Sequence, residues 1–212
     1  MKQLLVILVS ALLTISAFVN ANEIEIIPEW ELQLDEDNVQ VFTRISEVKI
    51  EGDVMTQLEY RAITSSSREP EVLVSVINNV DNFPDLFSAD TAEKIKNSEG
   101  TEGEYVYYFF DNPWPIPNLD LVRHISKAVM LENGDVQIKH TATPRAYEDK
   151  DIKRLEISDL IYTLKRKEDQ STELTIEGRF IPKGIPLILV ESWLPDGPKE
   201  IAVKIIKYAE DI

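Results

Sequence analysis

The side chains able to do chemistry in this sequence are few. Among 212 residues there is no cysteine, and the two histidines are His124 and His140. Neither histidine has a carboxylate or a second imidazole at the spacing of a zinc site, so no metal is expected. A general acid or base has to be a titratable group held in a pocket, and Asp120, Asp159 and His140 are the inward-facing candidates. No serine stands in a Gly-x-Ser-x-Gly elbow and no glycine-rich loop offers amides to a phosphate. The chain therefore carries no catalytic motif, implies no cofactor and reads as a binding protein. His140 shares a strand face with Val136, Ile138 and Ala142. It reads either as a core histidine with its nitrogen satisfied by a neighbour or as a polar anchor for a ligand head group. Asp120 reads most simply as a tie for the strand that follows the run Asn112-Pro113-Trp114-Pro115-Ile116-Pro117. In the ladder from Tyr105 to Phe110 both faces are apolar, so alternation leaves open which one points inward. A tyrosine inside a cavity supplies an apolar wall with a polar handle.

The elements that must position these groups follow an N-terminal stretch of a different kind. Lys2 precedes an apolar run from Leu4 to Val19, and Val19 and Ala21 stand at the minus-three and minus-one positions of a cleavage site. Residues 1–21 are therefore expected to be a signal peptide, with the protein in the periplasm or secreted. The lack of any cysteine excludes a lipobox. Residues 22–212 have the length of one domain. A formal net charge of -16, with Asp and Glu spread along the chain, argues against nucleic acid as a partner. It also disfavours steady adsorption to anionic lipid, leaving transient, apolar contact with a membrane. A monomer is expected.

Pro28 to Leu34 is predicted as a short helix, with a turn at Asp35 to Asn38. Strands are expected at Val39–Arg44 and Glu47–Glu51, then at Val54–Ile63 after a turn at Glu51-Gly52-Asp53. Pro70 suits the first turn of a helix carrying Val72, Leu73, Val76, Ile77 and Val80, and a second short helix follows around Pro84. Further strands are expected near Glu93–Ser98, Glu104–Phe110, Leu121–Leu131, Asp135–Ala142, Arg154–Arg166 and Thr172–Ile181, linked as successive antiparallel hairpins. Pro182 to Pro186 ends the sheet. A short helix over Leu187–Leu194 and a longer one from Pro198 close the chain. In the longer one Ile201, Ala202, Ile205, Tyr208, Ala209 and Ile212 fall on one face.

In this order the joints of the chain resemble those of the START lipid-transfer family. The residues that carry the resemblance are Trp30 and Val39-Gln40-Val41-Phe42-Thr43-Arg44; Glu69-Pro70-Glu71-Val72; Tyr107, Tyr108, Trp114 and Pro115; Asp120-Leu121-Val122; and Gly184-Ile185-Pro186 with Pro198. The resemblance implies an α+β helix-grip fold (START/Bet v 1-like), a curved antiparallel sheet wrapped around a long C-terminal helix with an internal apolar tunnel. It also implies a lipid-like hydrophobic ligand. Leu119 stands where the family usually has Arg, and Ile125 stands where sterol-holding relatives set a basic residue, which speaks against sterol specificity. On that architecture the expected ligand-binding residues are Tyr60, Tyr107, Phe109, Trp114, Arg123, His140, Phe180 and Trp193. Gly184, with Pro182, Pro186 and Pro195, is expected to hinge the Leu187–Leu194 helix over the mouth. Two other functions fit the residues: a cyclase or dehydratase using Asp120 or His140, and an envelope accessory protein whose pocket is filled by its own side chains.

Overall fold

Alternation of apolar and polar residues builds most of the fold as one antiparallel sheet. The structure, a computed structural model, describes residues 28–95, 103–114, 116–182, 185–191 and 193–212. The expected signal peptide, Pro115 and Gly184 lie outside the described residues. In β3 (Asp53–Ser66) Leu58, Tyr60, Ala62 and Thr64 are buried while Glu59, Arg61 and Ile63 are only half-buried, the period-two pattern of a strand with one core face. The same pattern runs through β10 (Ser158–Arg166) and β11 (Thr172–Phe180). With β1 (Glu31–Glu36), β2 (Val39–Ile50), β4 (Thr91–Ile95), β5 (Glu104–Phe110), β6 (Leu119–Ile125) and β8 (Val136–Ala142), the sheet runs β1-β2-β3-β11-β10-β8-β6-β5-β4. The sheet is open, with β1 and β4 at its edges. β3 pairs with β11 from Leu58 with Phe180 to Ser66 with Thr172, so the two ends of the chain are joined in its middle.

Four expectations about strands are corrected. Residues 28–34 do not form a helix; β1 pairs with β2 across a register shift between Leu32 and Leu34, because the free edge of β2 accepts an extended segment whose Leu34 packs on the core. The two strands expected before Gly52 are one, since Ile45 and Ser46 continue the ladder opposite Leu58 and Gln57. The strand expected over Leu121–Leu131 breaks after Ile125, where Ser126 bonds Lys139 through both its backbone and its hydroxyl; β7 (Val129–Met130) then pairs with β8. The strand expected from Arg154 also divides, because β9 (Lys153–Arg154) lies parallel to β6 and only from Ser158 does β10 begin.

The helices cover the sheet's inner face. Pro70 opens α1 (Pro70–Ile77), and α2 (Phe83–Leu86) follows a 3-10 turn at Val80–Asn82. α3 (Leu187–Glu191) is short, and α4 (Asp196–Glu210) lies across β2, β3 and β11 with Ile201, Ala202, Ile205 and Ala209 buried. Burying one such isoleucine is worth about 1.5–3 kcal/mol, so Ile201 and Ile205 hold α4 on the sheet. Ile212, expected on the same face, lies past the end of the helix and is exposed. Tyr208 lies at its edge, donating its hydroxyl to Asp85.

Candidate functional site

Between α2, the loop joining β5 to β6, α3, the first turn of α4 and one end of the sheet lies a pocket of about 390 Å³. Its walls are mainly apolar: Leu86, Phe87, Phe110, Leu119, Leu121, Leu155, Leu160, Phe180, Val190 and Ile201, with Asn112, Asp159, Arg179 and Glu200 among the polar lining groups. Strand alternation explains the selection on β6. Leu119, Leu121 and Arg123 face the pocket, whereas Asp120 and Val122 point to the other side.

Two glycines let aromatic rings close one wall. Gly178 lies opposite Tyr60 across the β3–β11 pair, and a Cβ there would come within 2.2 Å of the Tyr60 ring. Its absence lets that ring lie over β11. Tyr60 meets Trp193 edge-on with centroids 5.7 Å apart, and Trp193 meets Phe180 at 5.9 Å. Trp193 in turn covers Gly197, whose Cβ would fall 1.9 Å from the indole. Sheet, α4 and the segment after α3 are thus joined through Tyr60 and Trp193 at the edge of the pocket.

The polar feature of the pocket is Arg123, only 6% exposed. Its Nε–H donates to the Ser158 carbonyl (2.9 Å) and its Nη2 to Ser158 Oγ (2.7 Å). Its guanidinium carbon stands 5.4 Å from the Phe87 ring centroid and 5.6 Å from that of Tyr108, in reach of a cation–π contact. Behind it, His140 is fully buried among Phe83, Phe87 and Tyr162, and neither ring nitrogen has a partner among the described residues. Burial, followed by the Arg123 charge, lowers the His140 pKa well below the usual imidazole value, so the ring is neutral. Burial raises the pKa of Tyr60, Tyr108 and Tyr162. The Tyr108 hydroxyl senses the Arg123 charge, but no hydrogen bond of good geometry joins the two.

The sequence-predicted residues divide accordingly. Tyr60, Arg123, Phe180 and Trp193 line the pocket. Tyr107 does not: it packs on the outer face against Tyr147 (5.0 Å) and beneath Lys150 Nζ (4.5 Å), and Phe109 shares that face. The inner side of β5 carries Val106, Tyr108 and Phe110, a choice the all-apolar ladder could not reveal. Trp114 stands in solvent at 92% exposure rather than on the wall. His140, expected among the ligand-binding residues, lies fully buried behind the wall and does not line the pocket; it is the core histidine of the other reading, but no described neighbour hydrogen-bonds its ring nitrogens. Sequence reasoning missed Phe87, Leu121, Ser158, Gly178 and Gly197. For Leu121 and Ser158 the strand alternation was a usable sign; for the glycines only the three-dimensional approach of the rings gives the reason.

The acid–base candidates are not gathered at one place. Asp120 is fully buried and forked on Arg154 (2.9 and 2.6 Å) on the far side of β6. Asp159 borders the pocket, where it accepts from Ala142 N–H (2.8 Å) and pairs with Arg179. No cluster of metal-ligating side chains occurs among the described residues, and no described helix is long and apolar enough to cross a membrane.

No protein-family profile matches the chain, and no curated protein does. Solved structures do. A STAR-related lipid transfer protein from Xanthomonas axonopodis superposes with a TM-score of 0.69 at 20% identity, covering 85% of this chain and 98% of that one. Human StAR-related lipid transfer protein 5 gives 0.64 at 16% identity, covering 86% of each chain. Human STARD10 gives 0.62 at 20% identity, covering 85% of this chain and 74% of that one. Likeness at these identities speaks to architecture, and by its architecture this chain has the helix-grip fold of the START lipid-transfer domains.

Proposed function

We propose that this chain is an exported protein that binds a hydrophobic, lipid-like small molecule in the pocket between sheet and helices and exchanges it with membranes by brief contact. The observation that carries the reading is the pocket itself, about 390 Å³ of mostly apolar space, within the usual range of small-molecule sites, about 300–1,000 Å³. The structural neighbours named as lipid transfer proteins support it, and the Leu4 to Val19 run supports export. Burying an acyl chain is favourable by about 0.8 kcal/mol per methylene relative to water. Moving it from a bilayer into an equally apolar pocket changes little, so loading and release are both feasible. Trp114, Ile188 and Leu187 are exposed on the two segments that border the pocket, the β5–β6 loop and α3, where a passing membrane would meet them first.

Uptake of a pyrene-labelled acyl lipid from phosphatidylcholine vesicles tests the proposal. Wild-type protein is expected to extract the probe, and Leu121→Trp, which fills the wall position, is expected to reduce uptake about tenfold while circular dichroism keeps its folded signature. No uptake by the wild type, or undiminished uptake by a folded Leu121→Trp, would contradict it.

A further inference from the structure

Resting on that reading of the pocket, we infer that its ligand is a single-chain amphiphile with an anionic head, the head group docking on Arg123. The basis is an imbalance of charge. Arg44 is paired with Glu59, Arg61 with Glu177, Arg154 with Asp120, Arg166 with Glu71 and Arg179 with Asp159. Arg123, at 6% exposure, has no carboxylate partner among the described residues. An ionised group buried without a counter-charge is costly, and an arginine cannot escape that cost by losing its proton. The two carboxylates among the described residues lining the pocket are engaged elsewhere, Asp159 by Arg179 and the Ala142 amide and Glu200 by Lys204.

The geometry of the guanidinium narrows the class. One fork, Nε with a first Nη2 proton, is filled by the carbonyl and hydroxyl of Ser158, which fix the side chain's orientation. Nη1 and the remaining Nη2 proton make no hydrogen bond to a described residue, the Tyr108 hydroxyl standing near the charge without one, and Arg123 lines the pocket together with Leu121, Leu160 and Phe87. A guanidinium fork matches a carboxylate in two parallel N–H···O bonds. The cavity volume limits the tail. If each chain carbon takes roughly a water's share of volume, about 30 Å³, the 390 Å³ present match one chain of about a dozen carbons. A neutral sterol or alcohol would leave the Arg123 charge unanswered, and an alkylammonium head would oppose it.

Calorimetric titration of the wild-type protein with dodecanoate, dodecanol and dodecyltrimethylammonium tests this directly and requires no variant. Dodecanoate is expected to bind at least tenfold tighter than dodecanol, and the cation not at all. Equal affinity for acid and alcohol would overturn the anionic head while leaving the pocket's role as an apolar carrier intact, whereas binding of none of the three would overturn both. Arg123→Gln is then expected to lose the preference for dodecanoate over dodecanol, with Arg123→Lys restoring part of it. A folded Arg123→Gln protein that still prefers the acid would also overturn the assignment.

Discussion

At His140 the environment, not the residue's position in sequence, sets the chemistry. Phe83, Phe87 and Tyr162 surround the ring, and the charged group facing it is Arg123, whose repulsion adds to the burial in keeping the imidazole neutral. In the unfolded chain the same histidine takes up a proton near its ordinary pKa of 6.5. Below that pH the unfolded state binds the additional proton, so stability falls as pH falls and is regained as pH rises. For one proton the slope approaches about 1.4 kcal/mol per pH unit. Urea unfolding of wild type and His140→Leu from about pH 8 to about pH 5 is expected to show this component in the wild type only; parallel curves would contradict it. Alternation along β8 already placed His140 on the apolar side, and alternation along β6 makes Arg123 an inward residue. What no pattern could supply was the choice between Tyr107 and Tyr108, since both faces of β5 are apolar and only the docking of α2 decides between them.

Among the elements, β9 shows how a side chain can reroute a strand. Arg154 forks onto Asp120 and also donates to the carbonyls of Pro144, Tyr147 and Glu148 at 2.8–3.0 Å, which draws the 144–148 segment over the outer side of β6. The pairing of Leu155 N–H with the Asp120 carbonyl continues the same attachment. Removing one partner leaves a buried charge uncompensated, at a cost of about 3–5 kcal/mol. Asp120→Asn is therefore expected to lower unfolding stability by about that amount in urea titration. A loss below about 1 kcal/mol would contradict the structural role assigned to the pair. Because the carboxylate lies across the strand from the pocket, apolar ligand uptake by protein that is still folded should be unchanged. The strands with strict alternation, β3, β10 and β11, and the amphipathic α4 were legible in the sequence. The breaks after Ile125 and Arg154 were not, because they arise from Ser126 and Asp120 bonding to residues distant along the chain.

For the whole molecule, the helix-grip architecture was legible through the resemblance of the ordered joints to the START family; the hairpins and the closing amphipathic helix alone required only that a helix cover one face of a sheet. The pairing of β3 with β11 completes it, joining segments more than a hundred residues apart along the chain. The pocket was less legible than the fold, since its walls depend on how Trp193 and Tyr60 settle over two glycines and on how far α4 stands from the sheet. The proposed function requires that this space house a guest molecule. Native mass spectrometry of the protein purified from its own host, followed by lipid extraction, tests it most directly. A population of protein carrying one single-chain amphiphile with an anionic head at one-to-one stoichiometry, released on denaturation, is expected. Protein that carries no cargo when isolated, and gains no mass after exposure to lipid vesicles, would contradict it.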